Sequence, residues 1–197
     1  MAQQAQIITL YIELEDIVPP IWRRIVVDDD ITLRTLHHVI QAAFGWTDSH
    51  LHEFNVEGRI YAMLDNENVL DTIEDREIPG DDRKCKLQKL VYPGQRFDYQ
   101  YDFGDNWRHN IKVEKIDLVA EKMGVAQIMD GARATPPEDV GGTSGYEDFL
   151  IEINDPSSEQ GRNYLQWVDG SFDPELFDRR AANNALLRMA WNGWGKK

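Results

Sequence analysis

At 197 residues, 42% of them hydrophobic, the chain can bury one sizeable core, and it holds no run of ~18 apolar residues that would span a membrane. Its 35 acidic residues against 21 basic ones give a formal charge of −14, which repels nucleic-acid phosphates and anionic lipid, so neither is expected as a partner. A single cysteine, Cys85, excludes an internal disulfide; the opening residues lack a basic segment followed by an apolar one, so a cytoplasmic protein is expected.

Ile8, Leu10, Ile12 and Leu14 alternate with Thr9, Tyr11 and Glu13, the period of two that gives a strand one aliphatic face. Pro19 and Pro20 end it. Ile21, Arg23 and Ile25 then alternate with Trp22, Arg24 and Val26 in a second strand, expected antiparallel to the first. Its two arginines are read as solvated, with stacking or anion binding as the alternative. Asp28, Asp29 and Asp30 turn the chain and place negative charge ahead of a helix, where the macrodipole favours it. The helix is predicted from Thr32 as N-cap to Phe44, with Leu33, Leu36, Ile40 and Phe44 on one stripe and Gly45 as its stop. His37 flanks that stripe as a half-buried core residue, with His38 beside it. His50, His52, Phe54 and Val56 share one side of the next strand, which turns at Glu57-Gly58 into another over 59–63. Strand, strand, helix, strand, strand points to a β-grasp-like sheet packed on a helix.

An acidic loop is predicted over 65–82, with at most one helical turn, and then a short helix anchored by Leu87, Leu90 and Val91. Phe97, Tyr99, Tyr101 and Phe103 alternate with Asp98, Gln100 and Asp102, and after Gly104-Asp105-Asn106 the alternation resumes at Trp107, His109, Ile111 and Val113. This predicts a β-hairpin. With a three-residue turn, Phe103 opposes Trp107, Tyr101 opposes His109 and Asp102 opposes Arg108. One more short strand is predicted within 121–129. The stretch 130–145, with Pro136-Pro137 and Gly141-Gly142, is too rich in breakers for regular structure. Helices follow over 146–153, 164–168 and 174–191, the last with Pro174 in its first turn. The expected fold is therefore α+β, a mixed or antiparallel sheet packed against helices. It is read as a single domain over 1–197, strand-rich from 7 to 129, with a loop and helices from 130 to 197.

The polar and aromatic residues able to carry function concentrate in the hairpin turn and the Pro-Pro-Glu-Asp loop. In one reading Asp102, Asp105 and His109 face a ligand with Trp107 as an apolar wall and Arg108 beside them. In the plainer one Asp102 and Arg108 form a cross-strand pair and Asp105 and Asn106 only make the turn. The second loop adds Glu138 and Asp139, with Arg133 nearby. His50 and His52 could ligate a metal with a carboxylate, or pack against Phe54 and Val56. No nucleophile elbow, P-loop or dinucleotide fingerprint is present, and Gly141-Gly142-Thr143-Ser144-Gly145 lacks the lysine of a phosphate cradle.

Four stretches in this order carry a family resemblance: Pro19-Pro20-Ile21-Trp22-Arg23-Arg24; Phe44-Gly45-Trp46 with Ser49-His50-Leu51-His52-Glu53-Phe54; Tyr101-Asp102-Phe103-Gly104-Asp105-Asn106-Trp107; and Pro136-Pro137-Glu138-Asp139-Val140-Gly141-Gly142. Together they resemble the plasmid pRiA4b ORF-three-like family over nearly the whole chain, from Ile7 to Phe177. The resemblance names no activity. It implies, for many members, cysteines at the positions of Thr135 and Val140, so this chain lacks the two soft ligands of a structural zinc site.

Three functions are carried forward. The first is a non-enzymatic binding or interaction module, its partner an unnamed protein or small molecule, with no cofactor specified. The second is a metal-dependent hydrolase-type enzyme using Asp102, Asp105, His109, Glu138 or Asp139. The third, drawn from the family's plasmid setting, is a DNA-associated accessory protein. The first two require that the segments around 104 and 138 become neighbours.

Overall fold

The computed structural model describes residues 4–64, 78–155 and 157–193. In chain order these form β1 (Ala5–Leu14), β2 (Trp22–Asp28), α1 (Leu33–Phe44), β3 (His52–Val56), β4 (Arg59–Ala62), β5 (Gly80–Asp81), a 3₁₀ turn at Leu87–Lys89, β6 (Arg96–Tyr101), β7 (Trp107–Val119), β8 (Gln127–Ala132), α2 (Gly142–Ile153), α3 (Glu159–Trp167) and α4 (Arg179–Trp191). The fold is α+β. Most of the predicted acidic loop, residues 65–77, lies outside the described residues.

All eight strands belong to one mixed sheet in the order β5-β4-β3-β6-β7-β1-β2-β8, antiparallel except where β5 runs parallel to β4. β1 and β2 are parted from β3 and β4 by the hairpin β6-β7, so the amino-terminal strands join one sheet only through the centre of the chain. The alternation read from sequence is the face alternation of that sheet. Ile8, Leu10, Ile12 and Leu14 of β1, Phe97, Tyr99 and Tyr101 of β6, and Trp107, His109, Ile111 and Val113 of β7 are all buried. Across them lies α1, capped as predicted. Thr32 accepts a hydrogen bond from the Thr35 amide, and Gly45 closes the helix in the left-handed conformation that a side chain disfavours. Its Leu33, Leu36, Val39, Ile40, Ala43 and Phe44 complete the core.

Several boundaries differ from expectation. The hairpin turn spans five residues, with Tyr101 opposite Trp107, Tyr99 opposite His109 and Gln100 opposite Arg108. Asp102 takes a left-handed φ of 55°, its carboxylate accepts the Gly104 and Asp105 amides, and the strand ends at Tyr101, two residues earlier than expected, leaving Phe103 exposed. The slip of two residues keeps the paired side chains of β6 and β7 on their predicted faces, while Asp102 and Phe103 pass into the turn. β8 continues to Ala132 because its last residues pair with Trp22, Arg23 and Arg24. The last helix begins at Arg179, not near Pro174, since the Asp178 carboxylate accepts the Arg180 and Ala181 amides. α3 begins at Glu159, where Ser158 caps it through the Gly161 amide, and α2 begins at Gly142.

Arg23 overturns the solvated reading. It is 2% exposed, on the same inward face as Ile25, and its guanidinium donates to the carbonyls of Trp22, Ala43, Ala132 and Arg133 and to Thr135 Oγ1. The Phe177 ring lies 3.9 Å from its central carbon. Arg24, on the outer face, pairs with Glu114 at 2.7 Å.

Candidate functional site

Three segments meet at one end of the sheet. The first is the hairpin turn. The Asp102 amide donates to Leu51 O and the Asn106 amide to Asp102 O, while Asp102 Oδ1 takes the two turn amides and its other oxygen stays free of them. The second is the Pro-Pro-Glu-Asp loop, suspended from four points. Arg23 holds the carbonyls of 132 and 133, Trp46 Nε1 donates to Pro136 O at 3.1 Å, Tyr101 OH donates to Glu138, and the Gly141 amide donates to Asp105 Oδ2 at 3.0 Å. That last contact sets a carboxylate from the hairpin on the amino terminus of α2, where the helix dipole favours it. The third is the short stretch 47–50 between α1 and β3, whose Thr47 amide donates to Glu138 Oε1 at 2.7 Å. The segments around 104 and 138 are neighbours.

His50 sits where they converge. Its Nε2 lies 3.1 Å from Asp139 Oδ1, 3.6 Å from Asp102 Oδ2 and 3.6 Å from Glu138 Oε2, yet it is shielded from solvent and forms a hydrogen bond with none of them. The acids grade from sheltered to open, with side-chain exposures of 10% for Asp102, 20% for Glu138 and 71% for Asp139. Burial, with Glu138 beside it, pushes the Tyr101 phenol above its ordinary value and keeps it a donor to that carboxylate.

The structure brings Asp102, Asp105, Glu138, Asp139 and the metal candidate His50 to this rim and takes the other predicted residues elsewhere. His109 and Trp107 face the core, not a ligand: His109 is fully buried, donates from Nδ1 to Trp107 O, and meets the rings of Phe44 and Trp46 edge-on. Arg108 lies on the outer face of the sheet near Glu15, not opposite Asp102. Arg133 is 7% exposed and holds Glu175 and Pro19 O, a packing role. His52 parts from His50; its Nε2 meets the buried Asp82 carboxylate at 2.9 Å and its ring stacks on His37 at 3.5 Å. Burial opposes ionisation of Asp82, but hydrogen bonds from His52 and Arg34 hold its carboxyl below the usual range. The sequence reading missed Thr47 and Tyr101 as partners of Glu138. Tyr101 stood in the aromatic stripe with nothing local to distinguish it.

A second histidine group lies behind the rim. His37 is fully buried, not half-buried, because both ring nitrogens are partnered, Nδ1 by Tyr99 OH at 2.8 Å and Nε2 by Asp48 at 2.7 Å. Burial pushes the His37 imidazole down to about 4 despite Asp48, and pushes His109 down to about 3. Both are neutral at pH 7. Below the ordinary imidazole value of 6.5 the unfolded chain binds protons that the folded chain refuses, so stability falls with pH down to those depressed values. Each histidine is expected to contribute a slope of up to about 1.4 kcal/mol per pH unit. Urea unfolding of the parent and His109→Phe at pH 7 and pH 5 checks this. The variant should lose less stability on acidification, and parallel losses would count against a buried neutral His109.

Residues 6–181 match the family model described as plasmid pRiA4b ORF-3-like protein. The chain belongs to that family. Within the plasmid pRiA4b ORF-3-like family it is similar to the uncharacterised protein y4hQ of Sinorhizobium fredii (strain NBRC 101917 / NGR234), with 36% identity over 188 residues, covering 94% of this chain and 91% of that protein. It is also similar to MM3350 of Methanosarcina mazei Go1, a protein of unknown function with a crystal structure. That match has a TM-score of 0.75 and 32% identity, and covers 90% of this chain and 98% of the other. At the two positions where the family resemblance implied cysteines, Thr135 hydrogen-bonds Arg23 and Val140 is buried. Among the described residues no helix is long and apolar enough to cross a membrane.

Proposed function

We infer that this plasmid pRiA4b ORF-3-like protein is a non-enzymatic binding module of the cytoplasm, its recognition surface the rim where the hairpin turn meets the Pro-Pro-Glu-Asp loop. One observation carries the reading: Asp105 and Glu138 clamp the two loops together, while Asp102 Oδ2 and the exposed Asp139 carboxylate are left outside the clamp. A surface held rigid by its own scaffold loses little entropy on binding. The contacts that pin Glu138 to Thr47 and Tyr101 and Asp105 to the Gly141 amide support a surface formed before any partner arrives. The reading places the whole chain in one domain, since the loops that form the rim come from both halves of the sequence.

The test is affinity capture by the parent chain, by Asp139→Asn and by Asp102→Ala. Asparagine tolerates the positive φ of 58° at position 139, so that variant should stay within about 0.5 kcal/mol of the parent in stability. Both variants are expected to lose a species that the parent retains. Indistinguishable capture by all three would remove the rim as the recognition surface. A cation-dependent hydrolase is the second reading, favoured by His50 facing three carboxylates; divalent-dependent turnover of ester or peptide substrates, abolished by Asp102→Ala, would replace the first with it. The acidic rim adds to the net charge of −14 in weighing against a DNA-associated role.

A further inference from the structure

We propose that His50, Asp102 and Asp139 form a binding site for a divalent first-row transition cation, zinc or manganese, with Glu138 Oε2 or water completing the coordination. The proposal deepens the recognition reading and rests on the same rim. One imidazole nitrogen and one oxygen from each of two carboxylates lie within 4.8 Å of one another. Two ligands each ~2.0–2.2 Å from a shared ion stand roughly 2.8 to 3.6 Å apart in octahedral or tetrahedral geometry. His50 Nε2 meets its acidic neighbours at 3.1 to 3.6 Å, within that range.

A second observation is independent of spacing. His50 Nε2 is closed to solvent, on a side chain 29% exposed, and has no hydrogen-bond partner although three carboxylates surround it, and a cation among them would give that nitrogen and the facing oxygens a common partner. The surrounding donors orient the acids. Asp102 gives Oδ1 to two turn amides, and Glu138 gives Oε1 to Thr47 and both oxygens to Tyr101 OH, while Asp102 Oδ2 and Glu138 Oε2 face His50. The group His37, His38 and Asp48 makes the contrast. There the 2.7 Å contact is a hydrogen bond and both nitrogens of His37 are engaged, so the cluster satisfies itself.

The imidazole favours zinc over magnesium and calcium, which prefer sites made of oxygen alone, and the carboxylates beside it also suit manganese. A bound dication would offset most of the charge of the three acids and leave a position open at the exposed Asp139 side.

The untagged chain, stripped with chelator, is titrated calorimetrically with zinc or manganese ion alone at neutral pH. One saturable equivalent is expected, with His50→Gln and Asp139→Asn each weakening it by about a hundredfold or more. His38→Gln should bind as the parent does. Because His50 Nε2 makes no hydrogen bond, His50→Gln should melt with the metal-free parent, so lost binding is not lost folding. Absence of saturable binding overturns the proposal, as does equal binding by His50→Gln. Partner capture that persists in chelator alongside absent metal binding would overturn the cation site and leave the recognition surface standing. One equivalent of zinc lost in His50→Gln, with no partner captured by the parent, would support the site and end the recognition reading.

Discussion

Replacing Arg23 with leucine is expected to destabilise the fold by roughly 4 kcal/mol, the cost of stranding several buried acceptors at once. Arg23 donates to four backbone carbonyls and one hydroxyl, and no carboxylate is among those acceptors. Its burial without a counter-ion pushes the guanidinium down to about 9, still charged at neutral pH. What holds it there is geometry. A planar fork reaches the end of α1, the edge of β8 and the start of the Pro-Pro-Glu-Asp loop together, between Phe44 and Phe177. Leucine would leave the carbonyls of 43, 132 and 133 without their donor in a site closed to water. Lysine, with one head group in place of a fork, should recover less than half of the loss. Urea unfolding measures the first effect, and amide exchange over 133–141 measures the second, since the loop should lose protection before the sheet does. A cost below about 1 kcal/mol would mean that these carbonyls find other donors and that Arg23 does not hold the loop.

The second large effect is expected where α2 begins. A Cβ at Gly145 would stand 2.0 Å from Val140 O, and one at Gly142 would stand 2.6 Å from Asp105 O at a φ of +70°. Neither neighbour can swing away, because both atoms are backbone in the clamp that joins the two loops. Gly145→Ala and Gly142→Ala should therefore each cost about 3 kcal/mol from overpacking, with added backbone strain at Gly142. Gly94→Ala is the control. It has a φ of +87° but open space around it, so only the conformational cost of about 1 kcal/mol is expected. If all three variants lose the same amount, close approach at α2 is not what these glycines provide. A loss in Gly142→Ala should also displace Asp105 and weaken capture at the rim, which Gly94→Ala should not.

The glycine-rich stretch shows how far local reading reaches. Lack of a lysine weighs against a phosphate cradle, but the tight contacts that require Gly142 and Gly145 involve Asp105 and Val140 across two loops. Arg23 was in phase with Ile21 and Ile25 in the alternation, and that phase was the signal that it points inward. The general expectation for arginine outweighed it. His109 was likewise placed on the apolar face of its strand, and the structure keeps it there as core, where its neighbours exclude water. His50 and His52 show the converse. Equal spacing suggested one shared site, but His50 precedes β3, where the chain is not constrained to alternate, and the two imidazoles meet different carboxylates.

The sequence by itself determined the strand faces, the span of α1 with both its caps, the α+β class and the family, because backbone sterics, capping and periodicity act between residues a few positions apart. The tertiary structure alone decided that Glu138 meets Thr47 from 91 residues away and that Arg23 holds Thr135 across 112. It also decided that His50 faces three carboxylates drawn from two loops. Such meetings depend on strand order and on where each turn stops, and long-range packing selects both from many local arrangements of similar energy.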